Sequence, residues 1–249
     1  MKITKKQIDR YSRQIILKKI GIIGQKKILN AKVLIIGAGG LGSPIAIYLA
    51  ALGVGNIGIV DKDKVEISNL NRQIIFEDKD IKKRKSAVAA TKIKKINPDI
   101  KVRHYQANLN KINIHKIAIK YDFIIDGSDN FRTRFLINDY CLKNKKVLIS
   151  SAISKYDGQI FNFDFRKKGP CLRCFMPSEP TDAENCESEG IMSTLAGIAG
   201  SLQANEVIKS ILKIGKPLNG EIMIFNSLNL NFRKIKLKKN INCKNHFNA

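Results

Sequence analysis

Short apolar runs along this chain alternate with longer segments of helical period. Val33-Leu34-Ile35-Ile36, Ile57-Gly58-Ile59-Val60 and the stretches 101–105, 122–126 and 147–150 read as strands. Between them, residues 43–52, 84–96, 112–120 and 131–143 carry apolar positions at helical spacing. Strands alternating with helices predict a doubly wound, Rossmann-like α/β architecture, with a mostly parallel sheet covered by helices on both faces. The pattern changes after residue 150. Gly158 to Phe165 alternates like an antiparallel strand, a cysteine-bearing loop follows, and a helix over 193–213 precedes strands at 220–225 and 232–237. The parallel sheet is therefore expected to be extended by antiparallel strands. Residues 8–30 read as an amphipathic N-terminal arm with Ile15, Ile16, Leu17, Ile20, Ile22 and Ile23 on its apolar side, and 177–190 as the best candidate for a mobile loop.

Length and charge bound this picture. A chain of 249 residues suffices for one large α/β domain, here taken as 8–249, with the arm at 1–30 and halves at 31–150 and 151–249. The basic N-terminus is followed by Asp9, Arg10 and Arg13, not by the apolar region of a secretion signal, and no apolar run approaches the roughly 18 residues needed to span a bilayer. A soluble cytoplasmic protein is expected. The formal net charge of +24 suits an acidic protein partner or nucleic acid. Lysines are spread along almost every segment and Trp is absent, so compositional bias explains the charge better than a nucleic-acid patch does.

The first strand runs directly into Gly37-Ala38-Gly39-Gly40-Leu41-Gly42, and the second delivers Asp61 about twenty residues on. Glycines at 37, 39, 40 and 42 let a strand-to-helix turn close tightly and bring backbone N–H groups to a ligand phosphate, while Asp61 is placed to hold a ribose hydroxyl. A Gly-rich turn closing any βα unit has the same look, so the residues beyond the second strand decide the kind of chemistry. Residues 61–73 carry Asp61, Asp63, Ser68, Asn69, Leu70, Asn71, Arg72 and Gln73 in one irregular stretch. Hydride transfer has no evident use for that set. A triphosphate does: Arg72 offers a planar fork to phosphate oxygens, Lys85 a point charge, and Asn69 a hydrogen bond to sugar or phosphate. The strand ending Asp126-Gly127-Ser128-Asp129-Asn130 brings carboxylates to the edge where doubly wound sheets bind ligands, and Asp129 there can hold Mg2+ or cap the following helix.

Arg10 to Gln14, the Gly37 to Gly42 loop, Ser68 to Gln73, Lys85, Asn97-Pro98, Asp126 to Asn130 and a late Cys-x-x-Cys together make the chain resemble the ubiquitin-activating-like adenylyltransferases of the ThiF, MoeB and HesA type. Their sulfur-carrier members serve molybdopterin and thiamine biosynthesis. The resemblance implies ATP and Mg2+ as the nucleotide and its cation, bound by residues 37–42, Asp61, Asp63, residues 68–73, Lys85, Asp129 and Asn130. It also implies a homodimer in which Arg13 reaches the neighbouring subunit's pocket, and a ubiquitin-like sulfur carrier as substrate, bound by the 151–249 half.

Cysteine spacing adds a second kind of site. Cys171 and Cys174 form one knuckle and Cys243 and His246 another at the same spacing, a Cys3His set suited to structural Zn2+ that would tie the tail to the body of the domain. Members of the resembling family usually carry Cys at the last position, so His246 is a departure. Cys141 lies among apolar helix residues and is expected in the core. Cys186 matches a position that some family members use for a covalent link to the carrier, although Glu184, Glu187 and Glu189 around it disfavour a thiolate.

None of the three histidines falls in the nucleotide motifs, so no Ser-His or Cys-His pair is available. Adenylation requires none, because a carboxylate is already a nucleophile; Arg72, Lys85, Asp129 and Arg13 would position it and neutralise phosphate charge. The expected reaction is attack of a carrier's C-terminal Gly-Gly carboxylate on MgATP, followed by sulfur transfer from a persulfide on another protein, with Cys186 as the candidate thiol. Activation of a tRNA-linked carboxylate, nicotinamide-dependent oxidoreduction and a non-catalytic nucleotide-binding scaffold are the alternatives.

Overall fold

The computed structural model describes residues 3–180 and 190–246. The strands and helices of the first half follow in the expected order. They are α1 (Lys5–Ile15), α2 (Gly21–Asn30), β1 (Lys32–Ile36), α3 (Gly42–Leu52), β2 (Asn56–Val60), α4 (Lys85–Ile96), β3 (Lys101–Tyr105), α5 (Ile114–Ala118), β4 (Phe123–Asp126) and α6 (Phe131–Lys143). The second half supplies β5 (Val147–Ser154), β6 (Asp157–Asp164), the one-turn α7 (Leu172–Phe175), α8 (Ser193–Leu212), β7 (Glu221–Asn226) and β8 (Asn231–Lys236).

All eight strands join one sheet in the order β3-β2-β1-β4-β5-β6-β7-β8. Pairing is parallel from β3 through β5 and antiparallel from β5 to β8, as the change of pattern after residue 150 implies. Strand β5 continues four residues beyond the stretch expected from its apolar run, because β6 pairs with it along its whole length, from Val147↔Asp164 to Ser154↔Asp157. Alternate side chains on the strands build two cores. Val33, Ile35, Ile57, Ile59, Ile125 and Ile149 face α3, α4 and α8. Leu34, Ile36, Val60, Ile124 and Leu148 face α5 and α6 on the other side. Cys141 is fully buried in this second core, as expected, and its thiol pKa is pushed well above the ordinary value by that burial.

The N-terminal arm differs from its reading. It is two helices, broken where Gly21 adopts φ +56°, and Ile16, Leu17, Ile22 and Ile23 are exposed while Ile20 packs against the core. Position along the arm is set by polar anchors instead. Asn97 Nδ2 donates to the Tyr11 hydroxyl and to the Ala50 carbonyl, and Gln14 and Gln25 both donate to the Leu52 carbonyl. These carbonyl acceptors sit at the C-terminal end of α3. The arm is thereby fixed at the end of the parallel sheet opposite the glycine loop.

A close approach of backbone explains Gly55, and none explains Gly197. A Cβ on Gly55 would lie 1.7 Å from the Leu29 carbonyl oxygen, whereas one on Gly197, inside α8, would meet nothing within 4 Å. Gly55→Ala should therefore lower stability by on the order of 3 kcal/mol, through forced backbone displacement. Gly197→Ala should raise it by about 0.5–1 kcal/mol, because it removes backbone freedom from the unfolded chain. Urea unfolding of both variants beside the parent checks the pair; a Gly55→Ala protein as stable as the parent would contradict the packing described.

Candidate active site and metal centre

Ile36 pairs with Val60 on one side and Asp126 on the other, so the loops leaving β1, β2 and β4 emerge side by side at the carboxyl edge of the sheet. Gly37 takes φ +92°, and a Cβ there would come 2.6 Å from the Gly127 carbonyl; one on Gly42 would come 2.0 Å from the Gly37 carbonyl. The loop can turn into α3 only without side chains at these two positions. Helix α3 then starts with no side-chain cap. The N–H groups of Gly39 and Gly40 have no hydrogen-bond partner among the described residues. An open helix N-terminus with free N–H groups suits phosphate.

Asp61 braces this loop. Its carboxylate accepts from Ala38 N–H and Asp63 N–H, each at 2.8 Å. Burial raises the Asp61 pKa, and the two N–H groups and the Lys85 ammonium act against that rise. Both carboxylate oxygens already have backbone partners, so any ribose contact would add to this brace. Lys85 begins α4, is buried, and has its backbone N–H bound to the Asp63 carbonyl.

The stretch after Asp61 is held by its own polar groups. Asn69 is buried and accepts from Glu66 N–H at 3.2 Å, which gives its side chain a local bracing role beside any contact with nucleotide. Arg72 donates to the Ser68 carbonyl and the Asn71 side chain, and its Cγ would be 3.6 Å from a Cβ on Gly40. Its guanidinium stem thus lies against the glycine loop. Gln73 is buried beside Gly39, and its Oε1 has no partner. Ser86 Oγ, next to Lys85, is buried without a partner too. An unpartnered buried polar atom on a side chain beside the glycine loop, as Gln73 Oε1 is, fits a nucleotide-binding pocket. Leu70 is half-buried and Asp63, Ser68 and Asn71 are exposed. A groove of about 580 Å³ adjoins this stretch, lined by Asn71, Arg72 and Ile74 and by the first turns of α8.

At the end of β4 the two carboxylates separate in role. Asp126 is fully buried and saturated from within: it accepts from Ser128 N–H, the Ser128 and Ser150 hydroxyls, and Arg134 Nε at 3.3 Å. Asn130 caps α6 by accepting from Thr133 N–H, so that cap is not Asp129's. Asp129 remains exposed, with Asn130 Nδ2 at 3.1 Å, and its oxygens are open to a cation. Arg134 is a residue the sequence reading passed over. Its signal was an arginine one turn into a helix, between Phe131 and Phe135, after a strand that ends in Asp.

Arg13 lies apart. It is on α1, exposed, at the opposite end of α3 from the glycine loop, so it does not belong to the pocket of its own chain. Cys186 lies outside the described residues.

The second site forms where α7 meets the C-terminal tail. The ligand atoms of Cys171, Cys174, Cys243 and His246 lie within 4.8 Å of one another. Cys171 Sγ is 3.9 Å from Cys174 Sγ and 3.8 Å from Cys243 Sγ, and Cys174 Sγ is 3.3 Å from His246 Nε2. These three distances suit edges of a tetrahedral metal site, since S–metal bonds of about 2.3 Å put sulfurs about 3.8 Å apart. They are far beyond the roughly 2.05 Å of a disulfide. The cluster is anchored to α6. Arg173 makes a two-pronged ion pair with Asp139 and stacks 4.5 Å over Phe135, and Leu172 N–H is held by Asn138. Asn245 in the tail donates to the same Asp139. Burial and the neighbouring Cys174 and Cys243 thiols push Cys171 up to about 12, a cost that a bound cation would reverse. Burial and Lys239 lower the His246 pKa, which favours the neutral imidazole a metal needs.

Known proteins resemble this chain along most of its length. The chain is 39% identical over 249 residues to a Thermus thermophilus sulfur carrier protein adenylyltransferase, covering 98% of this chain and 92% of that protein. It is 38% identical to the SAMP-activating enzyme E1 of Haloferax volcanii, covering 95% and 88%. With a probable molybdopterin-synthase adenylyltransferase of Porphyra purpurea it shares 42% identity over 93% of this chain and 61% of that one. Among solved structures it superposes on E. coli MccB in complex with AMPCPP and MccA with a TM-score of 0.83 and 26% identity, over 94% of this chain and 73% of that one. The ThiF family model matches residues 11–245, from the tyrosine that anchors the arm to the tail of the Cys/His cluster, and the chain belongs to that family.

Proposed function

We propose that this protein is an adenylyltransferase that activates the C-terminal carboxylate of a small ubiquitin-like sulfur carrier with MgATP, releasing pyrophosphate, for thiamine or molybdenum cofactor biosynthesis in the cytoplasm. The observation that carries the reading is the uncapped N-terminus of α3, set between Arg72 and Asp61 at the carboxyl edge of the sheet, in a chain whose relatives are adenylyltransferases. The carrier carboxylate attacks the α-phosphorus, a P–O bond to pyrophosphate breaks, and negative charge builds on the leaving group. Free N–H groups at Gly39 and Gly40, the Arg72 guanidinium and the Lys85 ammonium are preorganised to receive it. Asp129 would hold the Mg2+ that accompanies the nucleotide; the cation screens phosphate charge when bound. The basic surface, +24 overall, favours an acidic carrier. The acyl-adenylate would then be attacked by a persulfide sulfur from a partner protein, with AMP leaving and Cys186 as the candidate relay. Residues 8–249 act as one domain, and the Cys3His cluster holds a structural Zn2+ that fastens the tail to α6. The homodimer is the functional unit, because Arg13 can serve only a second copy's pocket.

ATP–pyrophosphate exchange tests the reading. Exchange should appear with an intact thiamine-type or molybdopterin-type carrier and vanish when its terminal glycines are removed; absence of exchange with both intact carriers would refute adenylation. Arg72→Ala and Lys85→Ala should each reduce kcat about 10²–10³-fold, the loss typical of a preorganised oxyanion donor. Mixing inactive Arg13→Ala and Lys85→Ala proteins one to one should restore about a quarter of parental exchange, since half the dimers are mixed and each has one complete site. Purified protein should carry one zinc per chain by metal analysis. Cys171→Ser should lose that zinc and several degrees of Tm, while His246→Cys should keep both.

A further inference from the structure

The polar groups beneath Asp129 are unlike those of an ordinary strand end. A guanidinium is buried beside the carboxylate of Asp126, with 9% and 0% of the two side chains exposed. Arg134 Nη2 also donates to two backbone carbonyls, Ser128 at 3.2 Å and Ser151 at 3.0 Å. From the other side, Asp126 accepts from the Ser128 N–H at 3.0 Å and from its hydroxyl. The peptide that leads into Asp129 is thus gripped through its N–H, its side chain and its carbonyl. Gln203 of α8 adds a bond from Nε2 to the Asp126 carbonyl at 2.9 Å. None of these bonds involves Asp129, whose exposed carboxylate accepts from Asn130 Nδ2 at 3.1 Å and projects from a rigid support.

We propose that Arg134 is a positioning residue for Asp129: clamped by Asp126 and bonded to the carbonyls of Ser128 and Ser151, it fixes the backbone from which Asp129 presents its carboxylate to the nucleotide's divalent cation. This rests on the adenylation reading and adds to it a residue with no contact to substrate. The geometry requires arginine. One guanidinium reaches a carboxylate and two carbonyls through separate N–H groups in a fixed plane, whereas a lysine ammonium is a point donor on a flexible stem. The bond to Ser151 also ties the end of β4 to β5, the strand on which the antiparallel half is built. A loosened clamp should therefore degrade the cation site while leaving the glycine loop as it is.

The test is Mn2+ affinity, measured by electron paramagnetic resonance in the presence of a non-hydrolysable ATP analogue. Arg134→Lys should weaken Mn2+ binding about tenfold or more, the range found when an outer partner of a metal ligand is lost. The Mg2+ concentration for half-maximal pyrophosphate exchange should rise in parallel, with the carrier KM unchanged. Ile93→Val, in the core away from this edge, serves as the control: it should lower Tm and leave Mn2+ affinity unaltered. A folded Arg134→Lys protein that binds Mn2+ within twofold of the parent overturns the proposal. Should that variant not fold, Asp126→Asn, which takes the carboxylate from the Arg134 guanidinium, decides by the same measurement, with unchanged affinity overturning the proposal and a several-fold loss supporting it. A parent protein that binds no Mn2+ with the nucleotide removes the adenylation reading itself, an outcome distinct from failure of the clamp alone.

Discussion

A carboxylate with no exposed surface sits at the carboxyl end of the central strand β4, and the site is arranged around the groups that bond to it. Removing one partner from a buried ion pair costs about 3–5 kcal/mol, because the remaining charge has neither water nor counterion. Asp126 meets that demand with a guanidinium, two hydroxyls and a backbone N–H. Each of these partners constrains a different piece of chain: Ser128 the β4 loop, Ser150 strand β5, and Arg134 helix α6. Gly127 is pulled against Gly37 by the same arrangement, so the glycine loop and the Asp129 loop share one rigid edge.

Around that edge, charge is distributed to leave attraction for an anion unspent. Helix α3 is uncapped, Arg72 lies against the glycine loop, and Lys85 is buried near Asp61. Asp61 spends its carboxylate on bracing the loop, with two backbone N–H groups donating to it. On the adenylation reading, a triphosphate would meet backbone dipoles and two cations already held in position.

The Cys/His cluster solves a different problem. Strand β8 is exposed along its length and the tail beyond it has few apolar contacts. Cys171 and Cys243 are buried in the core shared with α6, and Asp139 receives bonds from both Arg173 and Asn245. Two segments more than seventy residues apart are thereby pinned to one helix, and a bound cation would relieve the crowding of three thiols.

The strands, the glycine loop, the place of Asp129 just beyond a strand end and the Cys/His spacing were legible because each depends on residues close together in the chain. Period-two apolar runs define strands, a turn without side chains needs glycine, and ligands three apart share a knuckle. The change to antiparallel pairing was legible in the same way, from alternation at 158–165. The N-terminal arm was misread because its exposed isoleucines carry the helical period while its anchors, Tyr11, Gln14 and Gln25, are polar. The place of Arg13 at the far end of α3, the saturation of Asp126 and the clamp made by Arg134 were decided by tertiary structure alone. Each depends on contacts between elements remote in sequence, and a side chain's charge becomes a constraint only once folding has taken it out of water.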